Sequence, residues 1–127
     1  MTNVPDTLKY TKDHEWVLVE GSVATVGVTE FAQSELGEIV FVDVPAVGKT
    51  VSAGSSFCVL ESTKAASDVY APIGGTVSAA NDALKDDPTK VNSDPYGAGW
   101  LCKLEGFQAA ELDKLMTAAD YKKHINA

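Results

Sequence analysis

Apolar and polar residues alternate along most of the chain in short runs that are separated by turn-forming residues. The strongest run, at 38–44, is rich in β-branched and aromatic residues and ends at Pro45, which is typical of a β-strand. Runs at 16–20 and 23–28 predict a β-hairpin, and the run at 100–104 predicts a further strand. Several short strands at regular turn spacing are typical of a sandwich or flattened barrel. The pattern therefore predicts a mainly β fold.

Two segments have the signals of short helices instead. A short helix is predicted over 30–36, with Thr29 as its N-cap. Gly37 is expected to end this helix, because the residue after a helix often has a left-handed backbone conformation that glycine adopts easily. Near the C-terminus, apolar residues recur at i, i+3, i+4 and i+7, which predicts a helical segment at about 108–125.

Within that C-terminal segment, Thr117 and Asp120 resemble a capping box, so two short helices are expected to meet near Met116. The stretch 81–99 is polar and rich in turn formers, and it predicts a loop with one helical turn near 89–92. No shift in composition marks a second domain. The 127 residues are therefore expected to form one domain, which is large enough to bury a core without metals or disulfides.

A polar step at 62–65 lies between two strand-like runs and predicts a hairpin with Lys64 at its tip. The step lacks the Asn-Gly or Gly-X pair that two-residue hairpins prefer, so turn chemistry does not explain the lysine. A near-duplicate hexapeptide occurs at 48–53 and at 74–79, 26 positions apart, with the lysine close to the midpoint. This repeat predicts two sheets related by a pseudo-dyad, with the hairpin at one end. A solvated surface lysine is the simpler interpretation, but the repeat favours a functional one.

The net charge of −8 argues against binding to nucleic acids or anionic membranes, because positive charge drives both. No apolar run approaches the length of a membrane span. The first twelve residues resemble neither a signal peptide nor a transit peptide. We therefore expect a globular protein that docks on basic partner surfaces and binds neither nucleic acid nor membrane.

The chain shows no pattern of catalytic or metal-ligating residues. Cys58 and Cys102 fall in apolar runs without a CxxC motif, which predicts buried free thiols in a reducing compartment and no metal site. His14 has acidic neighbours, Asp13 and Glu15, and a general base is one interpretation. A surface or supporting histidine is the preferred one. We predict no catalytic residue and a protein that is not an enzyme.

The lysine turn, Glu61-Ser62-Thr63-Lys64-Ala65, with Val-x-x-Pro and Gly-x-Thr-Val around it, resembles the attachment motif of the biotinyl/lipoyl carrier family. Four more segments, in the same order, are similar to the H proteins of the glycine cleavage system: His14-Glu15-Trp16, the segment 21–29, Leu36-Gly37-Glu38 and the segment 91–97. The resemblance covers nearly the whole chain. It implies a flattened β-barrel or sandwich of the barrel-sandwich hybrid type, with short helices.

The resemblance also implies a function. Lipoate is expected on Lys64 as N6-lipoyllysine, attached by a lipoylating enzyme. The arm is expected to carry an aminomethyl group from a pyridoxal-phosphate-dependent glycine decarboxylase to a tetrahydrofolate-dependent aminomethyltransferase. A dihydrolipoamide dehydrogenase then reoxidises the arm. We expect a monomer in the bacterial cytoplasm, or alternatively the mature form in a mitochondrial matrix.

Three acidic residues are candidates for roles around the lysine. Glu61 and Asp68 are candidate recognition residues for the lipoylating enzyme, and a solvated hairpin is the alternative interpretation. Glu15, next to Trp16, is expected to line a cleft for the loaded arm, where a carboxylate pairs with the protonated amine of the cargo and water is excluded. An ordinary surface acid is the alternative for Glu15.

Other functions of the same architecture stay open at this point. A biotinyl carrier usually has methionines beside the modified lysine, whereas Thr63 and Ala65 flank Lys64, which disfavours biotin. A lipoyl relay that serves other complexes has the same sequence features as a glycine cleavage carrier. A scaffold that has lost the modification is disfavoured by the intact lysine turn.

Overall fold

The structure, a computed structural model, describes residues 4–126, which form nine strands and five short helices. The strands are β1 (Lys9–Tyr10), β2 (Glu15–Glu20), β3 (Val23–Val28), β4 (Ile39–Asp43), β5 (Thr50–Val51), β6 (Ser56–Ser62), β7 (Ala66–Tyr70), β8 (Gly75–Ala80) and β9 (Cys102–Glu105). The helices are α1 (Glu30–Leu36), α2 (Ala83–Asp86), α3 (Lys90–Ser93), α4 (Ala109–Leu112) and α5 (Ala118–Ile125). The prediction of a mainly β fold is confirmed.

Two antiparallel sheets enclose the main core. The larger has the order β1-β2-β3-β9-β8-β5, and the smaller has the order β4-β6-β7. Each sheet buries one face against the other, although three consecutive residues are buried at the start of β2 and at the end of β3. The core includes Val17, Val26 and Leu104 from the larger sheet and Leu60 and Val69 from the smaller.

The two copies of the repeated hexapeptide pair with each other. Thr50 faces Thr76, its counterpart in the other copy, across the antiparallel pair of β5 and β8. Backbone bonds continue the pairing, because Gly48 N donates to Val77 O at 2.8 Å and Val77 N donates to Lys49 O at 2.8 Å. The repeat predicts two sheets related by a dyad, and this is wrong. The local two-fold relates two strands of one sheet, because identical short strands can pair antiparallel in register.

The predicted N-caps of α1 and α5 are confirmed, and α1 ends at Gly37 as predicted, although the ψ of −158° at Gly37 lies outside the left-handed helical region. Thr29 Oγ1 accepts a hydrogen bond from Ala32 N at 3.2 Å, and Gly37 follows α1 with φ of 86°. Thr117 Oγ1 accepts from Asp120 N at 3.2 Å at the start of α5. Two C-terminal helices therefore flank Met116, as the sequence predicts.

The stretch 81–99 contains two helical turns rather than one. The turn predicted near 89–92 is α3, and α2 is an addition that the sequence pattern does not reveal. Leu84 is the buried residue of α2, and one apolar residue in a single turn gives no periodicity to detect. In residues 4–126, none of the helices has the length and apolar character that crossing a bilayer requires.

A second, smaller core joins the N-terminal segment to α5. Val4, Leu8 and Trp16 pack there with Tyr10 and Tyr121, whose rings stack with centroids 4.6 Å apart. The two cysteines lie in the main core as free thiols, as predicted. Burial raises the pKa of both thiols, that of Cys102 to about 12.

Candidate functional site

The hairpin between β6 and β7 projects Lys64 into solvent, and Ser62 holds its turn. Ser62 N donates to Ala65 O at 2.7 Å, and Ser62 Oγ accepts from Ala65 N at 3.1 Å and from Lys64 N at 3.3 Å. The serine hydroxyl thus closes the turn, and none of residues 62–65 has a positive φ that would favour glycine. Lys64 is exposed, and within residues 4–126 its amine takes part in no hydrogen bond or ion pair.

The tip is tied to the segment that joins α1 to β4. Thr63 N donates to Glu38 O at 3.0 Å. Gly37 lies under the lysine stem, because a Cβ at this position would lie 3.5 Å from Lys64 Cε. The positive φ of Gly37 also favours glycine. The backbone of this joining segment therefore sets where the hairpin tip lies.

Asn92, at the centre of α3, fixes that joining segment. Its Oδ1 accepts from Ile39 N at 2.8 Å, and its Nδ2 donates to Gly37 O at 2.8 Å and to Gln33 Oε1 at 2.9 Å. Sequence reasoning assigned the 92–96 stretch to turn propensity and missed this role. The only signal was an asparagine in a polar loop, which gives no indication of partners more than 50 residues away in sequence.

Glu15 lies in the wall of a cavity of about 400 Å³ between the β1–β2 turn, β7 and the α4–α5 connection. The cavity is lined by Tyr10, Thr11, Asp13, Glu15, Tyr70 and Lys114, among others. Glu15 is the first residue of β2 and is only 2% exposed. It is therefore a buried carboxyl, and the alternative interpretation of a surface acid is wrong.

Two donors hold the Glu15 carboxyl in place. Thr11 Oγ1 donates to Oε1 at 2.5 Å, and Tyr70 N donates to Oε2 at 3.3 Å. Burial raises the pKa of Glu15 to about 7, although both hydrogen bonds act in the opposite direction. The neutral form of this carboxyl is thus favoured to a much higher pH than that of an exposed glutamate.

The three predicted acids lie at increasing distances from the lysine. Glu61 is exposed at the base of the hairpin, where it pairs with Ala66. Asp68 is exposed midway along β7 and accepts from Ser56 Oγ at 3.1 Å. Glu15 meets the far end of β7 at Tyr70. From the first to the last residue of β7 is about 13 Å at 3.3 Å per residue.

His14 makes contacts that join separate parts of the fold. Its Nδ1 lies 2.8 Å from the hydroxyl of Tyr121, which in turn lies 2.7 Å from Thr29 Oγ1. Its ring contacts those of Phe31 and His124, with centroids 4.8 and 5.7 Å away, and burial lowers its pKa. The histidine thus links the β1–β2 turn to α5, and its hydrogen-bond partner is a tyrosine rather than a nucleophile.

The residues fit a covalent acyl cofactor better than a metal. In the described part of the chain, no three His, Cys, Asp or Glu side chains are grouped so that they could hold an ion. Lys64 instead offers an accessible amine on a rigid hairpin. A lipoyl-lysine arm reaches about 14 Å from the backbone at ordinary bond lengths, which is close to the length of β7. Lys64 lies six residues before Tyr70, at most about 20 Å at 3.3 Å per residue, so the arm covers most of the distance from the tip to the Glu15 cavity.

Comparisons with known proteins agree with this geometry. The family model described as glycine cleavage H-protein matches residues 8–127. A glycine cleavage system H protein of Carboxydothermus hydrogenoformans is 50% identical over 123 residues, covering 97% of this chain and 95% of that protein. Another, from Cronobacter sakazakii, is 53% identical over 123 residues and covers 96% of this chain and 95% of that protein.

A solved structure is also similar. The crystal structure of a glycine cleavage system H protein from Mycobacterium marinum superposes with a TM-score of 0.88 at 40% identity, covering 98% of this chain and all of that one. This similarity confirms the barrel-sandwich architecture with short helices. The chain belongs to the glycine cleavage H-protein family, whose members are carriers rather than catalysts.

Proposed function

We propose that this protein is the lipoyl-bearing carrier of a glycine cleavage system and that Lys64 carries lipoate in amide linkage. The observation that supports it best is the Lys64 amine, which is exposed and unpaired at the tip of a braced hairpin. When bound, lipoate supplies a disulfide that accepts an aminomethyl group and is later regenerated from the dithiol. The names and the bacterial sources of the relatives support this function and a cytoplasmic location.

The chain's own contribution is position. Ser62 closes the turn, and Asn92 holds the segment against which the tip is tied, so the point of attachment stays fixed while the arm moves. A fixed base and a flexible arm suit a monomer that visits several enzymes in turn. We propose as these partners a pyridoxal-phosphate-dependent decarboxylase, a tetrahydrofolate-dependent aminomethyltransferase and a dihydrolipoamide dehydrogenase.

The acidic surface suits the enzyme that attaches the arm. Glu61 and Asp68 are exposed on the two strands of the hairpin, so a basic partner surface can contact both while it encloses Lys64. Charges at the edge of an interface chiefly raise the rate of encounter. We propose these two acids as recognition residues for the lipoylating enzyme.

Glu15 is proposed to hold the cationic end of the cargo in its cavity. An ammonium group that enters the cavity favours the ionised carboxyl, because an opposite charge within a few ångströms offsets the cost of burial. Thr11 and Tyr70 already orient both oxygens of the carboxyl. An arm that fills the cavity would displace water from around its labile amine, which would suppress hydrolysis.

Mass spectrometry and one substitution test the attachment site. Intact mass and peptide mapping of protein from its native host should find one lipoyl group, on Lys64. Lys64→Arg should abolish turnover in a reconstituted glycine-to-folate assay and leave the melting curve unchanged, because the side chain is exposed. Lys49→Arg, at another exposed lysine, is the matched control and should be fully active. Lipoate on Lys49, or turnover by the Lys64→Arg protein, would exclude the proposal.

A second experiment tests Glu15. The lipoylated protein is loaded with the decarboxylase and glycine, the enzyme is removed, and spontaneous ammonia release is followed. Glu15→Gln should release ammonia faster and keep normal lipoylation. Glu20→Gln, which removes an exposed acid at the other end of β2, is the control and should decay as the wild type does. Equal decay in all three proteins would remove Glu15 from the mechanism.

A further inference from the structure

A β-bulge in β4 turns two neighbouring apolar side chains toward solvent. Ile39 faces Ser62 and Phe41 faces Glu61, so Val40 is an extra residue without a partner in β6. In a regular strand, alternation would place Val40 outward and Phe41 inward. The bulge restarts the alternation, and Val40 and Phe41 are 51% and 48% exposed.

The bulge places Val42 rather than Phe41 in the core. Ile39 and Val42, on either side of the pair, are fully buried, so the bulge separates two inward residues by two outward ones. The strand also lies at the edge of its sheet, where exposed apolar side chains promote unwanted pairing with other chains. Bulges that redirect side chains are common beside functional sites, and exposed apolar groups commonly mark interaction surfaces.

The pair lies beside the hairpin that carries Lys64. Phe41 is directly opposite Glu61, which precedes the lysine by three residues, about 10 Å along the strand. The hydrogen bond from Thr63 N to Glu38 O fixes the tip against the segment before β4. A stable protein interface covers about 800 Å² on each partner. An enzyme that approaches the lysine amine from the side of β4 therefore also covers Phe41.

The surroundings of the pair define the chemistry of the partner. The exposed acids Glu38, Asp43 and Glu61 surround the two apolar side chains on the same strand and its neighbour. This arrangement complements an apolar recess bordered by lysine or arginine. Aromatic residues at the centre of an interface, with a polar rim, are the usual source of binding energy.

The order of events favours one partner for this surface, the enzyme that attaches the lipoyl arm. The enzymes that use the finished arm can bind the arm itself. The enzyme that attaches it must recognise the unmodified protein, for which only the surface around Lys64 is available. In that reaction the neutral lysine amine attacks the carbonyl carbon of an acyl adenylate. The amide C–N bond forms, the bond to phosphate breaks, and AMP and one proton are released.

We propose that Val40 and Phe41 form the docking surface for the acyl-attaching enzyme. The two side chains would enter an apolar recess of that enzyme, and basic residues at the edge of the recess would face the surrounding acids. This rests on the proposed function, because it requires that Lys64 be acylated. The surface differs from Glu61 and Asp68, since it supplies apolar contact area where those acids supply charge.

The test uses the full-length unmodified protein, lipoate, ATP and a purified lipoate-attaching ligase. Phe41→Ser should raise the KM for the carrier at least 10-fold with kcat nearly unchanged, and Val40→Ser should raise it at least 3-fold. Val47→Ser is the matched control, because Val47 is 65% exposed and follows β4 at the end away from the tip. It should change the KM less than 2-fold. Phe41→Leu should restore most of the affinity.

A competition experiment separates docking from chemistry. The Lys64→Arg protein cannot be acylated and should inhibit acylation of the wild type, whereas Lys64→Arg combined with Phe41→Ser should inhibit at least 10-fold less well. Melting curves of all variants confirm that they are folded. Equal KM values for Phe41→Ser and Val47→Ser, or equal inhibition by the two arginine proteins, would overturn the docking surface. Wild-type protein that acquires no acyl group on Lys64 would instead overturn the proposed function.

Discussion

The buried carboxyl of Glu15 makes the stability of this protein depend on pH in an unusual direction. Most carboxylates in folded proteins are paired or solvated, and acid weakens the fold when they become protonated. The Glu15 carboxyl is 2% exposed, and burial raises its pKa from an ordinary 4.5 to about 7. Its neutral form is therefore the one that the fold favours.

The sign and size of the effect follow from this pKa. Between pH 4.5 and 7 the folded protein keeps a proton on Glu15 that the unfolded chain has lost, so this residue's contribution to stability falls as pH rises. The contribution is fully present below pH 4.5 and is lost above pH 7. A rise of the pKa from 4.5 to about 7 corresponds to about 3 kcal/mol in the free energy of unfolding.

Glu15→Gln tests this prediction, because glutamine has the same shape and cannot ionise. Unfolding by urea is measured for both proteins at several pH values from 4.5 to 8. The amide changes the hydrogen bonds with Thr11 and Tyr70 by an amount that does not depend on pH, so it cancels when the pH values are compared. The free energy of unfolding of the glutamine protein, relative to that of the wild type, should rise by about 3 kcal/mol between pH 4.5 and pH 8.

Thr11→Val provides a second test, in which the Glu15 carboxyl is intact. The Thr11 hydroxyl favours the ionised form of Glu15, so removing this hydroxyl should raise the pKa of Glu15 further. The pH above which the contribution of Glu15 to stability is lost should then be higher than in the wild type. Carbon NMR of the Glu15 carboxyl reports the same pKa directly. A free-energy difference between wild type and Glu15→Gln that is the same at pH 4.5 and at pH 8 would refute the reasoning.

Two further predictions concern how the site is held. Asn92→Ala should lower the free energy of unfolding by about 2–3 kcal/mol and speed amide exchange at Thr63, because it leaves Ile39 N and Gly37 O unpaired. Ser93→Ala, at an exposed residue of the same helix, is the control and should change neither quantity. Gly27→Ala should cost about 1–3 kcal/mol, because its Cβ would lie 2.6 Å from the buried Trp16 ring, and combining it with Trp16→Phe should cost less than the sum.

Local signals in the sequence predicted most of the fold. The strands follow from alternation, the start of α1 from Thr29 and its end from Gly37, because these patterns depend on neighbours a few residues apart. The lysine hairpin was also predicted from its place between two strands. The comparisons confirm the family and the fold, and the roles of Lys64 and the three acids stay predictions.

Features that depend on distant contacts were not predictable in the same way. The position of Asn92 over Gly37 joins residues 55 apart in sequence, and the burial of Glu15 depends on the end of β7, also 55 residues away. The bulge in β4 likewise cannot be seen in the sequence, where the run at 38–44 has the pattern of one regular strand. Alternation alone would have placed Phe41 in the core, where the structure has Val42 instead.

The free-energy cost of burying the Glu15 carboxyl is itself an argument for its proposed role. A carboxyl buried without a cation weakens the fold at neutral pH, and such groups are concentrated at functional sites rather than in structural cores. If a cationic cargo enters the cavity, the same carboxyl becomes favourable, since the charge that was costly now has a partner. An arm without a charged end gains nothing from this exchange. If the loaded arm occupies this cavity as we propose, its ammonium group would favour the ionised form of Glu15, and binding of the loaded arm should release a proton near pH 7.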